Sequence, residues 1–383
     1  MLILNDEQTM MREMVRRLAR EKLLRIAARI DEEEVFPEEA YRALAGAKLF
    51  ALAVPERYGG AEADVTTLCL VMEELAKVSP ACGLMVFSTQ AVYRVLRECA
   101  SPEQADRFFP DMGQGDQLAS FVLTEPDFGS DAASLRTRAE RRGDEYVLNG
   151  TKVFITSAAA ARYFLVFART GPGQREQGIS AFLILRDTPG LVVGKAEDKM
   201  GLRGSMTNQV ILEDARVPTA NRIGQEGEGW KILTEKANVM RLWGAASMAL
   251  GIAEAALECA VSYARERKQF GKPIAGFQAL RFMLADMAIL VEASRSLIFS
   301  TARMIDQGRG SHTEIESRVS MAKCFASDAA MKVTTDAVQI LGGYGYTRDY
   351  PVERMMRDAK ALQILDGTNQ IQRIVIARNL IQD

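Results

Sequence analysis

Two changes in hydrophobic periodicity constrain the fold of this 383-residue chain more than any other feature of its sequence. Up to about residue 110 the spacing is helical. Met14, Leu18 and Leu23-Leu24 follow the capping residues Asn5-Asp6-Glu7, and Glu32-Glu33-Glu34 marks a solvated face. Pro37 suits the first turn of FPEEAYRALAGAKLF, and Pro55 to Gly60 reads as a loop. Helices resume at LCLVMEELAKVS, and GLMVFSTQAVYRVLRECA is apolar on most sides, so it is expected to be buried. From about residue 115 the pattern becomes short β-like runs: FVLTEPDFGSD, YVLNGTKVFIT, YFLVFART, ISAFLILRD and QVILEDARVP. Asn149-Gly150 is expected to turn a hairpin, because both residues tolerate the positive φ of a type I′ turn. After Gly229-Trp230 helical spacing returns to the end. Leu250, Ala253, Leu257, Val261 and Ala264 share one face and Leu280, Leu284, Met287 and Val291 another, with breaks at Gly271-Lys272-Pro273 and around Gly308-Gly310. The expected fold is mainly α with a small antiparallel β barrel or sandwich: a helical domain over 1–115, the β domain over 116–229 and a four-helix bundle over 230–383.

Composition narrows the function classes. A net charge of -2, with 48% hydrophobic and 26% charged residues, suggests a globular chain with neither a basic nucleic-acid surface nor an acidic tail. Cys69, Cys82, Cys99, Cys259 and Cys324 are odd in number, widely spaced and without a CxxC pair, which argues against disulfides and a zinc site and for a reducing compartment. The opening MLILNDEQTM shows no leader pattern, and no run approaches the apolar length needed to span a bilayer, so a cytoplasmic location is expected. His312, the single histidine, lies in a polar Gly-Arg-Gly-Ser-His segment expected to be a solvent-facing loop. Proton chemistry therefore falls to carboxylates, lysine, tyrosine or cysteine. No GxGxxG opens a βαβ unit, so a Rossmann nucleotide site is not expected.

The stretch ALQILDGTNQIQR, Ala361 to Arg373, carries a lone carboxylate at a helix break. Asp366 lies between Ile364-Leu365 and Gly367-Thr368, and Thr368 can cap the helix that follows. Read alone, Asp366 is either an ordinary turn aspartate or a working acid.

The order α, small β, α bundle, together with five motifs, resembles the acyl-CoA dehydrogenase family over essentially the full chain. The motifs are FVLTEPDFGSD at 121–131, YVLNGTKVFIT at 146–156, ERKQFGKPIAGFQ at 266–278, QILGGYGYTRDYPVERMMRDAK at 339–360, and LQILDGTNQIQR. The resemblance implies FAD held non-covalently between the β domain and the bundle, in a homotetramer whose subunits share sites in pairs. By the same resemblance the backbone at Phe121 and Leu123 and the Thr124 hydroxyl meet the flavin edge, while Gly129 and Ser130 approach the pyrophosphate. Phe154, where members often carry tryptophan, and Thr156 cover the ring. Arg267, Gln269, Phe270 and Gln278 look like contacts to the neighbouring subunit's FAD, Gln339 with Gly342-Gly343 like the strip receiving its adenosine end, and Thr368 and Gln370 like further flavin contacts.

On the substrate side Arg241 matches an arginine bordering the active site. Asn238, where many members carry aspartate, and Met240 occupy adjoining positions that meet CoA or its thioester, with Ser130 and Gly367 close to the substrate. The activity implied is removal of an α-proton by Asp366 and of a β-hydride to FAD, giving a 2-enoyl-CoA, with an electron-transfer flavoprotein as acceptor. Most members have glutamate where this chain has Asp366, one methylene longer. An error of about an ångström in placing a base can cost about a hundredfold in rate. Three explanations remain open at this point: a branched or alicyclic acyl group that brings its α-carbon closer, a nitroalkane-oxidase-like chemistry without CoA, or a weak flavoprotein scaffold. The intact TEPDFGSD and GTNQIQR motifs and Arg241 favour the first. Phe128 and Met240 hint at a reshaped pocket. Gly83, near where glutaryl-type members carry arginine, speaks against a dicarboxylyl substrate, although Arg94 offers charge in the same helix.

Overall fold

A computed structural model describes residues 4–171 and 175–381. The first three residues of MLILNDEQTM and the last two of the expected bundle lie outside them. Six helices come first: α1 (Asp6–Leu18), α2 (Ala27–Glu33), α3 (Glu38–Gly46), α4 (Val65–Ala76), α5 (Pro80–Cys99) and α6 (Pro102–Met112). Their starts follow from local chemistry. The Asn5 side chain accepts from the Gln8 amide while Gln8 returns a bond to the Asn5 amide, which satisfies two orphan donors of α1. Ser101 and Gln104 do the same for α6, behind a proline at its first position. α5 is buried along most of its length, as its all-round apolar character requires.

Eight strands follow: β1 (Ala119–Val122), β2 (Arg138–Arg142), β3 (Glu145–Thr156), β4 (Tyr163–Arg169), β5 (Ile179–Leu185), β6 (Leu191–Ala196), β7 (Thr207–Pro218) and β8 (Arg222–Ile223). They form one sheet in the order β6-β7-β3-β2-β4-β5-β8, with β1 beside β4. Pairing is antiparallel except that β1 and β2 run parallel to β4. The hairpin expected at Asn149-Gly150 does not form. β3 runs straight through it, with a bulge between Leu148 and Gly150, because the Asn149 side chain pairs with Asp214 across β7 in both directions, at 3.0 and 2.8 Å. Gly150 sits against Thr137 where a methyl would not fit. The turn lies at Gly143-Asp144 instead, between β2 and β3, with Gly143 at φ 64°.

The chain then returns to helices: α7 (Gly229–Lys231), two π-type turns over 232–236 and 242–246, α8 (Ser247–Glu266), a two-residue hairpin of β9 (Lys268–Gln269) and β10 (Lys272–Pro273), α9 (Gln278–Asp306), α10 (His312–Leu341), α11 (Gly343–Tyr346), α12 (Val352–Leu362) and α13 (Asn369–Ile381). α10 is the hub, packed on α8, α9, α12 and α13, and one apolar core joins this bundle to α4 and α5. His312 is exposed, but it opens α10 behind the capping Ser311 rather than lying in a loop. The sequence reading also passed over Leu242–Glu266, which is long and apolar enough by composition to cross a membrane. Of its most apolar window 67% is buried inside the structure, where α8 packs against α4, α9, α10 and α12.

Arg357 of α12 ties the three parts together. Its guanidinium donates to both Asp31 oxygens of α2, at 3.0 and 2.6 Å, and to the Met200 carbonyl of the β6–β7 connection at 2.9 Å. Close helix contact is just as specific. A methyl at Gly251 on α8 would fall inside contact distance of the Glu73 carbonyl and 3.1 Å from the Ala76 side chain on α4. Gly251→Ala is therefore expected to destabilise the fold by about 1–3 kcal/mol through overpacking. Chemical denaturation reads this directly, and an unchanged midpoint would show that α4 and α8 separate at no cost.

Candidate active site

Asp366 lies in the turn between α12 and α13, in left-handed conformation at φ 57°, followed by Gly367 at φ 86°. Two consecutive left-handed residues are costly unless neighbours hold them, and here they do. Arg241 donates from Nε to the Asp366 carbonyl at 2.8 Å, and Lys323 of α10 donates from Nζ to the Gly367 carbonyl at 2.9 Å. Gln372 donates to both carbonyls, at 3.4 and 3.0 Å. Glycine belongs at 367 because L side chains rarely adopt a φ of 86°, and a methyl there would also lie 2.9 Å from that Gln372 nitrogen. Thr368 accepts the Ile371 amide at 3.3 Å and so caps α13. Among the described residues the amides of Asp366, Gly367 and Thr368 donate to no protein group.

The Asp366 carboxylate oxygen Oδ2 is buried with no hydrogen-bond partner. Burial raises its pKa to about 6 against the pull of Lys323 and Arg241, both of which favour the charged form. The same burial lowers the Lys323 ammonium to about 8, although Asp366 opposes the shift. A buried, unpartnered carboxylate poised near neutrality can accept a proton from carbon, which a solvated turn aspartate does poorly. The sign of its pH dependence follows. Because the folded-state pKa is raised, the stabilising contribution of this group is present below the ordinary carboxylate range and is lost as pH rises through about 6. Base activity runs the opposite way, and kcat/KM is expected to climb with pH to a limb near 6. A profile flat from pH 5 to 8 would remove Asp366 as the titrating base.

Arg241 also donates to Asn238, which is buried, so Asn238 serves the arginine. Met240 packs its side chain where two of the apolar cores meet.

The remaining sequence-predicted residues fall on two surfaces. At the end of β1, the Val153 amide donates to the Thr124 carbonyl at 2.9 Å, the Ser120 hydroxyl bonds the Thr156 carbonyl at 2.7 Å, and Gly129 faces Thr124. Phe121, Leu123 and Thr124 are half-buried there, and Ser130 is exposed. Phe154 stands 63% exposed at φ 59° near the end of β3, between the buried Val153 and Ile155. The second surface is a groove of about 630 Å³ that gathers Arg267, Gln269, Phe270, Gln339, Gly342 and Gly343, with Tyr344 among its further walls. Phe270 is 93% exposed and Arg267 lies over the Tyr344 ring at 5.6 Å. Gln278, one turn away at the start of α9, is exposed and does not line the groove, and Gln370 is exposed on α13. Sequence reasoning missed Lys323 and Gln372, which grip the turn, and the buried Lys152. For the two lysines the one signal was a cation set among apolar and small neighbours, as in Met321-Ala322-Lys323-Cys324; Gln372 carried none beyond its place in the motif.

Comparison with known proteins shows the family. The family models for the acyl-CoA dehydrogenase N-terminal, middle and C-terminal domains match residues 5–116, 120–215 and 227–381. An acyl-CoA dehydrogenase of Bacillus subtilis is 46% identical, with 98% of each chain covered. A cyclohex-1-ene-1-carbonyl-CoA dehydrogenase of Syntrophus aciditrophicus is 43% identical over 99% of this chain and 91% of that protein. The butyryl-CoA dehydrogenase structure from Megasphaera elsdenii superposes with a TM-score of 0.95 at 38% identity, covering both chains fully. The chain belongs to the acyl-CoA dehydrogenase family, FAD-dependent oxidoreductases that act on acyl-CoA.

Proposed function

We propose that this enzyme dehydrogenates an alicyclic or branched acyl-CoA thioester between its α- and β-carbons, with Asp366 as the base. The observation that carries this reading is the half-buried Asp366 carboxylate beside two cations, its Oδ2 buried without a partner, on a turn whose amides point to no protein group. The ring-acyl relative adds support for a cyclic substrate. An α-carbon already constrained by a ring or branch can approach a base one methylene shorter than glutamate, where a flexible straight chain would leave a gap.

The residues present fit FAD. The exposed Phe154 offers a face for stacking between two buried neighbours on β3, and a side chain at Gly342 or Gly343 would meet open space. Arg267 adds a cation at the groove without a carboxylate partner among the described residues, suited to a pyrophosphate. We assign Leu123, Thr124, Gly129, Ser130, Phe154 and Thr156 to one subunit's hold on the cofactor, and the groove to a second subunit's hold. Exposed Phe270, Phe282 and Ile289 around α9 supply apolar surface for such pairing. Bound FAD supplies the acceptor for the β-hydride.

The protein performs the rest. Asp366 takes the α-proton onto its carboxylate. Its own amide, free of protein partners, stabilises the charge that gathers on the thioester oxygen as that proton leaves. Arg241 and Lys323 keep the turn in place and favour the ionised base before the reaction. An electron-transfer flavoprotein, the acceptor implied by the motif resemblance, would then remove the electrons.

Anaerobic mixing with cyclohexane-carboxyl, branched and straight-chain CoA thioesters and with nitroethane tests this. Cyclohexane-carboxyl-CoA is expected to bleach the flavin about a hundredfold faster than a straight-chain thioester, the scale of a one-ångström misplacement. Preference for straight chains would sink the substrate reading, and bleaching by nitroethane alone would replace the reaction.

A further inference from the structure

A second buried charge pair lies behind the expected flavin wall. Lys152, on β3, has no solvent exposure, and its ammonium donates to a Glu125 oxygen and to the Leu123 carbonyl, each at 2.9 Å. The Glu125 carboxylate also accepts the Arg136 amide at 2.6 Å, the Thr137 amide at 2.9 Å and the Thr137 hydroxyl at 2.6 Å. Burial pulls Lys152 down to about 8. It also works against a charged Glu125, but Lys152, Thr137 and the Arg136 amide outweigh it and hold that carboxyl below its usual range. Both groups are therefore charged at neutral pH. Burying such a pair costs several kcal/mol per ion before compensation, and an apolar pair would hold the sheet at least as well.

The contact to Leu123 suggests what the charge does. The Leu123 carbonyl and the Thr124 N–H belong to one peptide unit. Its carbonyl end receives the ammonium, while its N–H donates to no group among the described residues. A cation on the carbonyl polarises the unit and makes its N–H a stronger donor, the cooperative effect of linked hydrogen bonds in a low dielectric. Two residues along β3 from Lys152 stands the exposed Phe154, so the same lysine ties together both segments expected to face the flavin.

We infer that Lys152, neutralised by Glu125, is a positioning residue for FAD: it aims and polarises the Leu123–Thr124 peptide so that the site holds reduced flavin, with its added negative charge, more tightly than oxidised flavin. The inference rests on the reading of Thr124 and Gly129 as flavin contacts.

The test compares flavin-loaded wild type with the double variant Lys152→Met, Glu125→Gln, which removes both charges without leaving one unpaired. The ratio of affinities for reduced over oxidised FAD is expected to fall about tenfold, which lowers the midpoint potential of bound flavin by about 30 mV for a two-electron couple. Thr137→Val serves as the uncharged control. It removes one bond to Glu125 and should lower thermal stability while leaving the midpoint where it was. An unchanged midpoint in the double variant overturns the inference, and so does an equal shift in Thr137→Val. Should the methionine pair fail to fold, Lys152→Gln with Glu125→Gln removes both charges, keeps a polar pair with one acceptor oxygen for the Thr137 amide and hydroxyl, and must shift the midpoint in the same direction. Gly129→Val examines the underlying reading separately. It has room in the fold and should block the cofactor, so undiminished FAD affinity there would discard the flavin-wall assignment whatever the midpoints show.

Discussion

Asp366→Asn is expected to leave FAD bound and to slow flavin bleaching by an acyl-CoA thioester by about 10³–10⁴-fold, towards the upper end of what a positioned base contributes. The substitution keeps the shape of the side chain and removes its ability to take a proton. The turn should survive, because Arg241, Lys323 and Gln372 grip the backbone carbonyls of Asp366 and Gly367 and not the carboxylate. A second signature accompanies the loss. Since the carboxyl is held near 6 by burial, the variant's stability should vary less between pH 5 and 7 than that of the wild type. Stopped-flow absorbance under anaerobic conditions reads the rate. Bleaching within a factor of two of wild type would take the base role away from this residue.

Lys323→Met should do damage of a different kind. Lys323 is fully buried, and its ammonium bonds the Gly367 carbonyl at 2.9 Å and the Asn369 side chain at 2.8 Å. Methionine fills the space and removes both bonds, while Gln372 still serves the Gly367 carbonyl and Ser327 the Asn369 oxygen, so the cost is about 1.5–3 kcal/mol for each charge-assisted bond lost. Asp366 would also lose one of its two neighbouring cations, so its carboxyl should move further up and carry the acid limb of the rate profile above 6. The pH profile separates the two effects. A stability loss with the limb still near 6 would mean that Lys323 only braces the turn.

Both variants depend on an arrangement that was only half visible in the sequence. The helices were legible because their caps and spacing are local: Asn5 with Gln8, Pro102 behind Ser101, and the apolar faces of α8 and α9 need no distant partner to be read. The β region was less so. β2 reads Arg-Ala-Glu-Arg-Arg, a strand by virtue of its neighbours rather than its alternation, and Asn149-Gly150 looked like a turn because Asp214, 65 residues away, is what makes it a bulge. The site shows the same division. Asp366 stands in a motif, Arg241 was matched by position, and six of the groove residues were named in advance. Lys323, 44 residues from the carbonyl it holds, is found only when α10 is laid beside the turn.

The left-handed backbone at Asp366 also bears on how this enzyme can change over generations. A β-branched residue at φ 57° is strained, so valine, isoleucine and threonine are poor occupants whatever their codons allow. Aspartate and glutamate codons differ by one third-position nucleotide, and both side chains leave the turn by the same path. Under the proposed assignment, a lineage that carries this turn is therefore one point mutation away from trading the shorter carboxylate for the longer one, without any rearrangement of the fold that holds them.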